Sequence, residues 1–223
     1  MAILTRRALN GLLLSFVCAM LGHGQSPAAL LTQTNDQTSD APNLEMTVKT
    51  VGGEYCVGDN DLDILLLKLR LTFTNKGKEP LILFKGSSLI DTIKISRNVA
   101  DALAQRYEAD ISQTQLTAGA KQCYRGAVPN KCFVILAPRG SYEVDTKVRI
   151  LVVRGDVRKI GGAVMSGDHA LQVNVSTWHE TDKLAKNLRA RWRRSGTLWS
   201  QPLTSAPIRF SVSKQHQLLK ECP

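Results

Sequence analysis

Leu65-Leu66-Leu67-Lys68-Leu69-Arg70-Leu71-Thr72-Phe73-Thr74 is the stretch that decides the fold. Leu65, Leu67, Leu69, Leu71 and Phe73 alternate with Leu66, Lys68, Arg70, Thr72 and Thr74. A period of two puts one set on each face of an extended chain. It predicts a strand with one face buried and the other in water. Asn75-Lys76-Gly77-Lys78 reads as the turn that ends it, and Pro80 opens a further strand at Leu81 to Phe84. Upstream, Leu44, Met46 and Val48 alternate with Glu45, Thr47 and Lys49, and a Gly52-Gly53 turn with a loop bearing Cys56 follows.

The same pattern recurs downstream. Ile93 and Ile95 mark a short strand. Asn98 is placed to cap a crossover helix through Val99, Leu103 and Tyr107. Cys132 to Leu136 is an apolar run stopped by Pro138-Arg139-Gly140. Tyr142, Val144, Val148, Ile150 and Val152 alternate with Glu143, Asp145, Lys147 and Arg149. Gly155 and Gly161-Gly162 break the chain. Leu171, Val173, Val175 and Thr177 share one face of the next strand, and Ile208, Phe210 and Val212 one face of the last. Many short strands with little helix predict an all-β fold of two packed antiparallel sheets.

Those strands resemble a bacterial secreted immunoglobulin-like domain. The residues that carry the resemblance are Leu69-x-Leu71-x-Phe73-x-Asn75, Ala137-Pro138-Arg139-Gly140, Gly167 to Val173, Leu198-Trp199-Ser200 and Ser205-Ala206-Pro207-Ile208. The resemblance is architectural and implies an immunoglobulin-like β-sandwich that binds or scaffolds. It also implies that the last strand runs beside the first, parallel to part of it. Cys56, in the turn after the first strand, and Cys222, in the tail, would then share one end and bond.

The N-terminus supplies an address. Arg6 and Arg7 precede an apolar run from Ala8 to Leu21, and small residues follow at Gly22 and Gly24. This is the pattern of a cleavable secretory signal over residues 1–24. The run is shorter than the roughly 20 residues a bilayer span requires. Val17 occupies the position before Cys18 where a lipidation signal needs a small residue. Thr5-Arg6-Arg7 is similar to a twin-arginine signal, but the leucine-rich run fits the general secretory route. Residues 25–42 are polar and read as a flexible linker to a folded domain at 43–223. No later segment reads as a membrane span, so the expectation is a secreted or periplasmic protein.

Without the signal, Cys56, Cys123, Cys132 and Cys222 remain, an even number in an oxidising compartment. Cys123 and Cys132 flank a short loop with Gly126 and Pro129 and are the favoured pair. Removing Arg6 and Arg7 from 29 basic residues leaves 27 against 19 acidic, a net charge of +8. That balance favours anionic partners, and export removes nucleic acid from them.

Thr181 to Gly196 carries six basic residues and one acid. Leu184, Leu188 and Trp192 recur every four residues, one narrow apolar stripe on a helix capped by Thr181 or Asp182. Lys183, Lys186, Arg189, Arg193 and Arg194 fall largely opposite and are the candidate anion-binding residues, with Arg191 at the edge. Two readings compete: a stripe packed on the sandwich with a solvated basic face, or an element that docks anionic lipid or polysaccharide. Trp192 and Trp199 are candidate aromatic contacts for such a ligand.

Catalytic signatures do not appear. His169, His179 and His216 have no metal-ligand spacing with each other or with a cysteine, and His179-Glu180 lacks the second histidine of a zinc-protease helix. No nucleophile elbow or phosphate-binding loop occurs. The expectation is a non-catalytic binding or accessory module with no cofactor and no metal.

Overall fold

A computed structural model describes residues 43–59, 61–85, 90–112, 120–155 and 161–219, all within one unit, Ser39–Pro223. The signal, the linker and Cys222 lie outside the described residues. In chain order the elements are β1 (Leu44–Val57), β2 (Leu62–Asn75), β3 (Leu81–Phe84), β4 (Ile90–Ser96), α1 (Val99–Leu103), β5 (Ala109–Ser112), β6 (Phe133–Leu136), β7 (Ser141–Val153), β8 (Gly167–Ser176), α2 (Asp182–Trp192), β9 (Thr197–Leu198), β10 (Pro202–Thr204), β11 (Ile208–Val212) and β12 (Leu218–Leu219). The fold is all-β with two helices among the described residues.

Three sheets form. The first has the order β12-β1-β2-β7, antiparallel except that β12 runs parallel to β1. The second has the order β10-β8-β4-β5, with β11 also on β8. The third, β6-β3-β9, is small. The period-two set Leu65, Leu67, Leu69, Leu71 and Phe73 is buried and joins Val148 and Ile150 of β7 in one cluster with Ile93, Leu171, Val173 and Val175 of the second sheet. Alternation along each strand has thus become two facing apolar layers. Burial of each large aliphatic side chain contributes about 2 kcal/mol, which is why this pattern dominates the fold.

Four local expectations change. Gly52-Gly53 is not a turn: β1 runs through it with a register shift between Thr50 and Gly52. Gly52 sits at φ +154°, a backbone conformation that glycine adopts and residues with a Cβ rarely do. Cys56 therefore lies in a strand, opposite Ile64. Leu66 points away from the Leu65 face yet is only 2% exposed. The crossover helix begins as expected, with Asn98 Oδ1 accepting from Asp101 N at 2.8 Å, but stops at Leu103. Gln105 at φ +56° turns the chain, so Tyr107 lies outside the helix and Leu103 is 68% exposed.

The Pro138-Arg139-Gly140 turn is present, and Asn75 stitches it to the end of β2. The Asn75 amide N–H donates to Gly140 O at 3.0 Å, and Asn75 O accepts from Arg139 N at 2.9 Å. A Cβ on Gly140 would stand 2.9 Å from Ala137 O, so the turn requires glycine there.

Candidate anion-binding surface

The third sheet is the floor for α2. Ala185, Leu188 and Trp192 are buried in a second cluster with Ile82 and Phe84 of β3, Phe133 of β6, Leu198 of β9 and Trp178. Leu184 is half-buried beside them. The Trp192 ring meets Phe133 edge-on, with centroids 4.8 Å apart. Thr181 Oγ1 caps the helix by accepting from Leu184 N at 3.3 Å. Asp182 in the first turn complements the positive end of the helix dipole, and Arg189 and Arg191 in the last turn complement the negative end.

Three further tethers fix the helix. Trp192 Nε1 donates to Gly126 O at 3.2 Å. Arg191 Nη1 donates to Tyr124 O at 2.9 Å. Arg189 Nε donates to Leu198 O at 3.0 Å, and its Nη2 donates to Ser200 Oγ. The Tyr124 and Gly126 carbonyls sit on the loop closed by the Cys123–Cys132 disulfide, whose Cα atoms are 5.7 Å apart. Asn130 braces that loop, donating to Cys123 O at 3.1 Å and accepting from Cys132 N at 3.0 Å. After the helix, Gly196 at φ +136° passes so close to Pro80 that a Cβ would stand 2.5 Å from its carbonyl oxygen. Thr197 N then donates to Pro80 O at 2.9 Å and starts β9.

The six cations of the helix and the turn that follows it therefore divide. Arg189 and Arg191 are spent on carbonyl and hydroxyl oxygens. Lys183, Lys186, Arg193 and Arg194 are exposed and make no ion pair or hydrogen bond among the described residues. Of the candidate set, Arg189 is an anchor and the other four form the outward surface. Trp192 and Trp199 are corrected as ligand contacts: they are 1% and 8% exposed. Trp199 Nε1 donates to Gln201 O at 2.7 Å. Both indoles are core, because the third sheet and the first cluster cover them.

Other polar clusters are structural in geometry. Asp63, buried, accepts from Arg154 Nε at 3.1 Å and Nη2 at 2.7 Å, and from His216 Nε2 at 3.1 Å. Burial pushes its carboxyl up, but Arg154 and His216 outweigh burial and hold it below the usual aspartate value. The His216 ring stacks on Tyr55 at 3.8 Å, and the chain beyond pairs Leu218 with Tyr55 and Leu219 with Cys56. The tail thus meets the first strand. Cys56 is buried and disulfide-bonded. Buried His169 has Nε2 2.8 Å from Met165 O and Nδ1 3.4 Å from Glu108 Oε2. Burial, reinforced by the Glu180 carboxylate, pushes the Tyr124 phenol up to about 12. No three His, Cys, Asp or Glu side chains stand close enough to hold a metal ion, and no helix is long and apolar enough to cross a membrane, among the described residues.

Fold and site together define a disulfide-stapled all-β domain that carries a clamped basic helix. No family model matches the chain, and no curated protein matches it. Among solved structures it is similar to the putative ApaA protein from Bordetella pertussis, at 9% identity and a TM-score of 0.33, over 78% of this chain and 97% of that one. It is also similar to the Northeast Structural Genomics Consortium target SoR45, at 8% identity and a TM-score of 0.34, over 82% of this chain and 96% of that one. Likenesses at that level carry no argument about activity.

Proposed function

We propose that this chain is an exported, non-catalytic binding module with an immunoglobulin-like sandwich body, and that it holds an acidic polysaccharide of the cell envelope through the outward face of α2. The observation that supports this is the division of the helix cations. The anchoring of α2 leaves Lys183, Lys186, Arg193 and Arg194 exposed on a rigid support and in no ion pair among the described residues. A rigid donor array loses less entropy on binding than a mobile one. The alternative partner, anionic lipid, calls for an apolar helix face free to enter the headgroup region. Here that face is Ala185, Leu188 and Trp192, all buried against the third sheet. Export rests on the signal pattern at residues 1–24, and sequencing of the secreted N-terminus tests it, with Gln25 as the expected first residue.

The binding test uses dextran sulfate and the variant K183S/K186S/R193S/R194S. Exposed ion pairs contribute roughly 0.2–1 kcal/mol each, so losing four weakens binding about fourfold or more. The wild-type affinity falls steeply with salt, and the variant's falls less. Equal affinity for the two proteins, with the variant's thermal transition unchanged, would reject the reading.

A further inference from the structure

The outer face of the first sheet holds a second surplus of positive charge. Register sets its rows. Lys49 of β1, Arg70 of β2 and Asp145 of β7 stand side by side. The next row is Gly52, Lys68 and Lys147, and the next is Glu54, Leu66 and Arg149. Same-face residues on one strand are about 7 Å apart and adjacent strands about 4.8 Å. Five cations and two carboxylates therefore share a patch three rows deep.

The two acids are already taken. Asp145 accepts both nitrogens of Arg70, at 2.7 and 2.9 Å. Glu54 accepts Lys68 Nζ at 2.5 Å. Lys49, Lys147 and Arg149 are exposed and make no hydrogen bond or close ion pair among the described residues, Lys147 meeting the Glu54 carboxylate only at longer range. Moreover, Lys68 lies directly opposite Lys147, and Lys49 directly opposite Arg70. Like charges in such cross-strand positions destabilise a sheet. Further along the same face the surplus of cations stops: Thr72 bonds Glu143, whose carboxylate also acts on Arg70, Thr74 meets Ser141, and Lys76 pairs with Glu45. The surplus is thus local, and an anion laid across these rows would relieve it.

We infer that Lys49, Lys68, Arg70, Lys147 and Arg149 form a second anion-binding surface, for a strand of acidic polysaccharide, on a different part of the domain from α2. The row-by-row repeat of cations suits a linear polymer that carries one charged group per sugar unit. Leu66, the apolar side chain within the rows, is buried, so the rows themselves present charge rather than an apolar face. The choice of polysaccharide rests on the function proposed above, whereas the location of the surface does not. With both surfaces in use, one molecule bridges two polymer strands.

The test compares three forms of the secreted chain on dextran sulfate and on phosphatidylglycerol vesicles. They are the wild type, K49T/K147T/R149T, and a control, K85T/R209T/K214T, that removes the same charge from exposed positions elsewhere. Threonine suits a strand, and removing Lys147 relieves a like-charge pair, so the first variant melts no lower than wild type. The inference predicts a five- to twentyfold loss on dextran sulfate for the first variant and less than twofold for the control. Wild type turns dextran sulfate solutions turbid, and the first variant does not. Equal losses for both variants would mean that net charge alone acts, and would overturn the surface. No loss for the first variant would overturn it as well. A loss on vesicles without one on dextran sulfate would overturn the polysaccharide occupant. The α2 variant is scored separately: a loss there with none here sinks only this inference, and the reverse sinks only the function proposed for α2.

Discussion

Replacing Asn75 by Asp is the sharpest perturbation available to this fold. Asn75 is fully buried at the junction of the β2 end, the β3 start and the β6–β7 turn. Its Nδ2 donates toward Glu79 O at 2.8 Å, Leu136 O at 3.0 Å and Ala137 O at 3.2 Å, while its Oδ1 accepts from Gly77 N at 2.9 Å. Asparagine alone among residues of that shape offers two N–H donors and an acceptor. A carboxylate keeps the Gly77 bond but turns an acceptor on three carbonyl oxygens. An orphaned buried acceptor costs about 1–3 kcal/mol. The Leu136 carbonyl is buried, and the other two contacts are partly open to water. Asn75→Ala should then lose about 3 kcal/mol, and Asn75→Asp more at neutral pH, because a charge is buried among acceptors. A protonated carboxyl donates one hydrogen bond, so burial and the carbonyls raise the introduced group's folded pKa. Its destabilisation is least below the unfolded value of about 4 and grows as pH rises above it. Urea unfolding at pH 4 and pH 7 reads both quantities. A loss under 1 kcal/mol at pH 7, or the same loss at both pH values, would refute the reasoning. The effect should reach α2, since β3 and β6 form its floor.

Two pH dependences follow from Asp63 and Tyr124. Arg154 and His216 hold the Asp63 carboxyl low against the upward push of burial. Its stabilising contribution is therefore complete above the unfolded value of about 4 and disappears as pH falls through the folded one. Asp63→Asn should flatten the acid limb of the urea midpoint between pH 5 and pH 2, and an unchanged limb would disprove the assignment. Tyr124 runs the other way. Its phenol is pushed up to about 12, so the contribution is complete below the unfolded value of about 10 and disappears as pH climbs from there to 12. Tyr124→Phe should abolish that alkaline loss, and ultraviolet titration of the wild type should show one phenolate appearing late. A normal early titration would contradict it.

Local periodicity made the long strands legible. Lys68, Arg70, Thr72 and Thr74 report a wet face because side-chain direction alternates within the strand itself. The Asn75 turn, the Pro138-Arg139-Gly140 turn and the Asn98 and Thr181 caps were legible for the same reason, since each is settled by its nearest neighbours. What the sequence concealed depends on partners distant along the chain. β9 and β12 have two residues each and exist because β3 and β1 present unpaired edges to them. Leu66 reads as outward by parity, but parity says nothing of what covers a face. Gly52-Gly53 reads as a turn because glycine permits one, whereas here β2 stays paired on both sides of the irregularity. The tryptophans illustrate the same limit: helical spacing identified the stripe with Trp192, but only the third sheet shows that the stripe is consumed.

The fate of that stripe is also what separates the candidate partners. A basic helix with a free apolar face and one with a buried apolar face have the same composition and charge. The first gains affinity from inserting hydrocarbon into lipid, roughly 25 cal/mol per Å² of apolar area buried. The second has only charge to offer. In α2 the apolar face is buried and Arg189 and Arg191 are committed to Leu198, Ser200 and Tyr124. What remains is a set of cations on a support held by a disulfide loop and by hydrogen bonds. Such a support matters little for a fluid bilayer, whose headgroups rearrange around any charge. It matters for a polymer whose charged groups come at fixed intervals, because each cation already held in place lowers the ordering cost of binding. Under the function proposed for α2, anchoring so basic a helix through two of its own arginines is the feature that would suit an ordered polyanion better than a lipid surface.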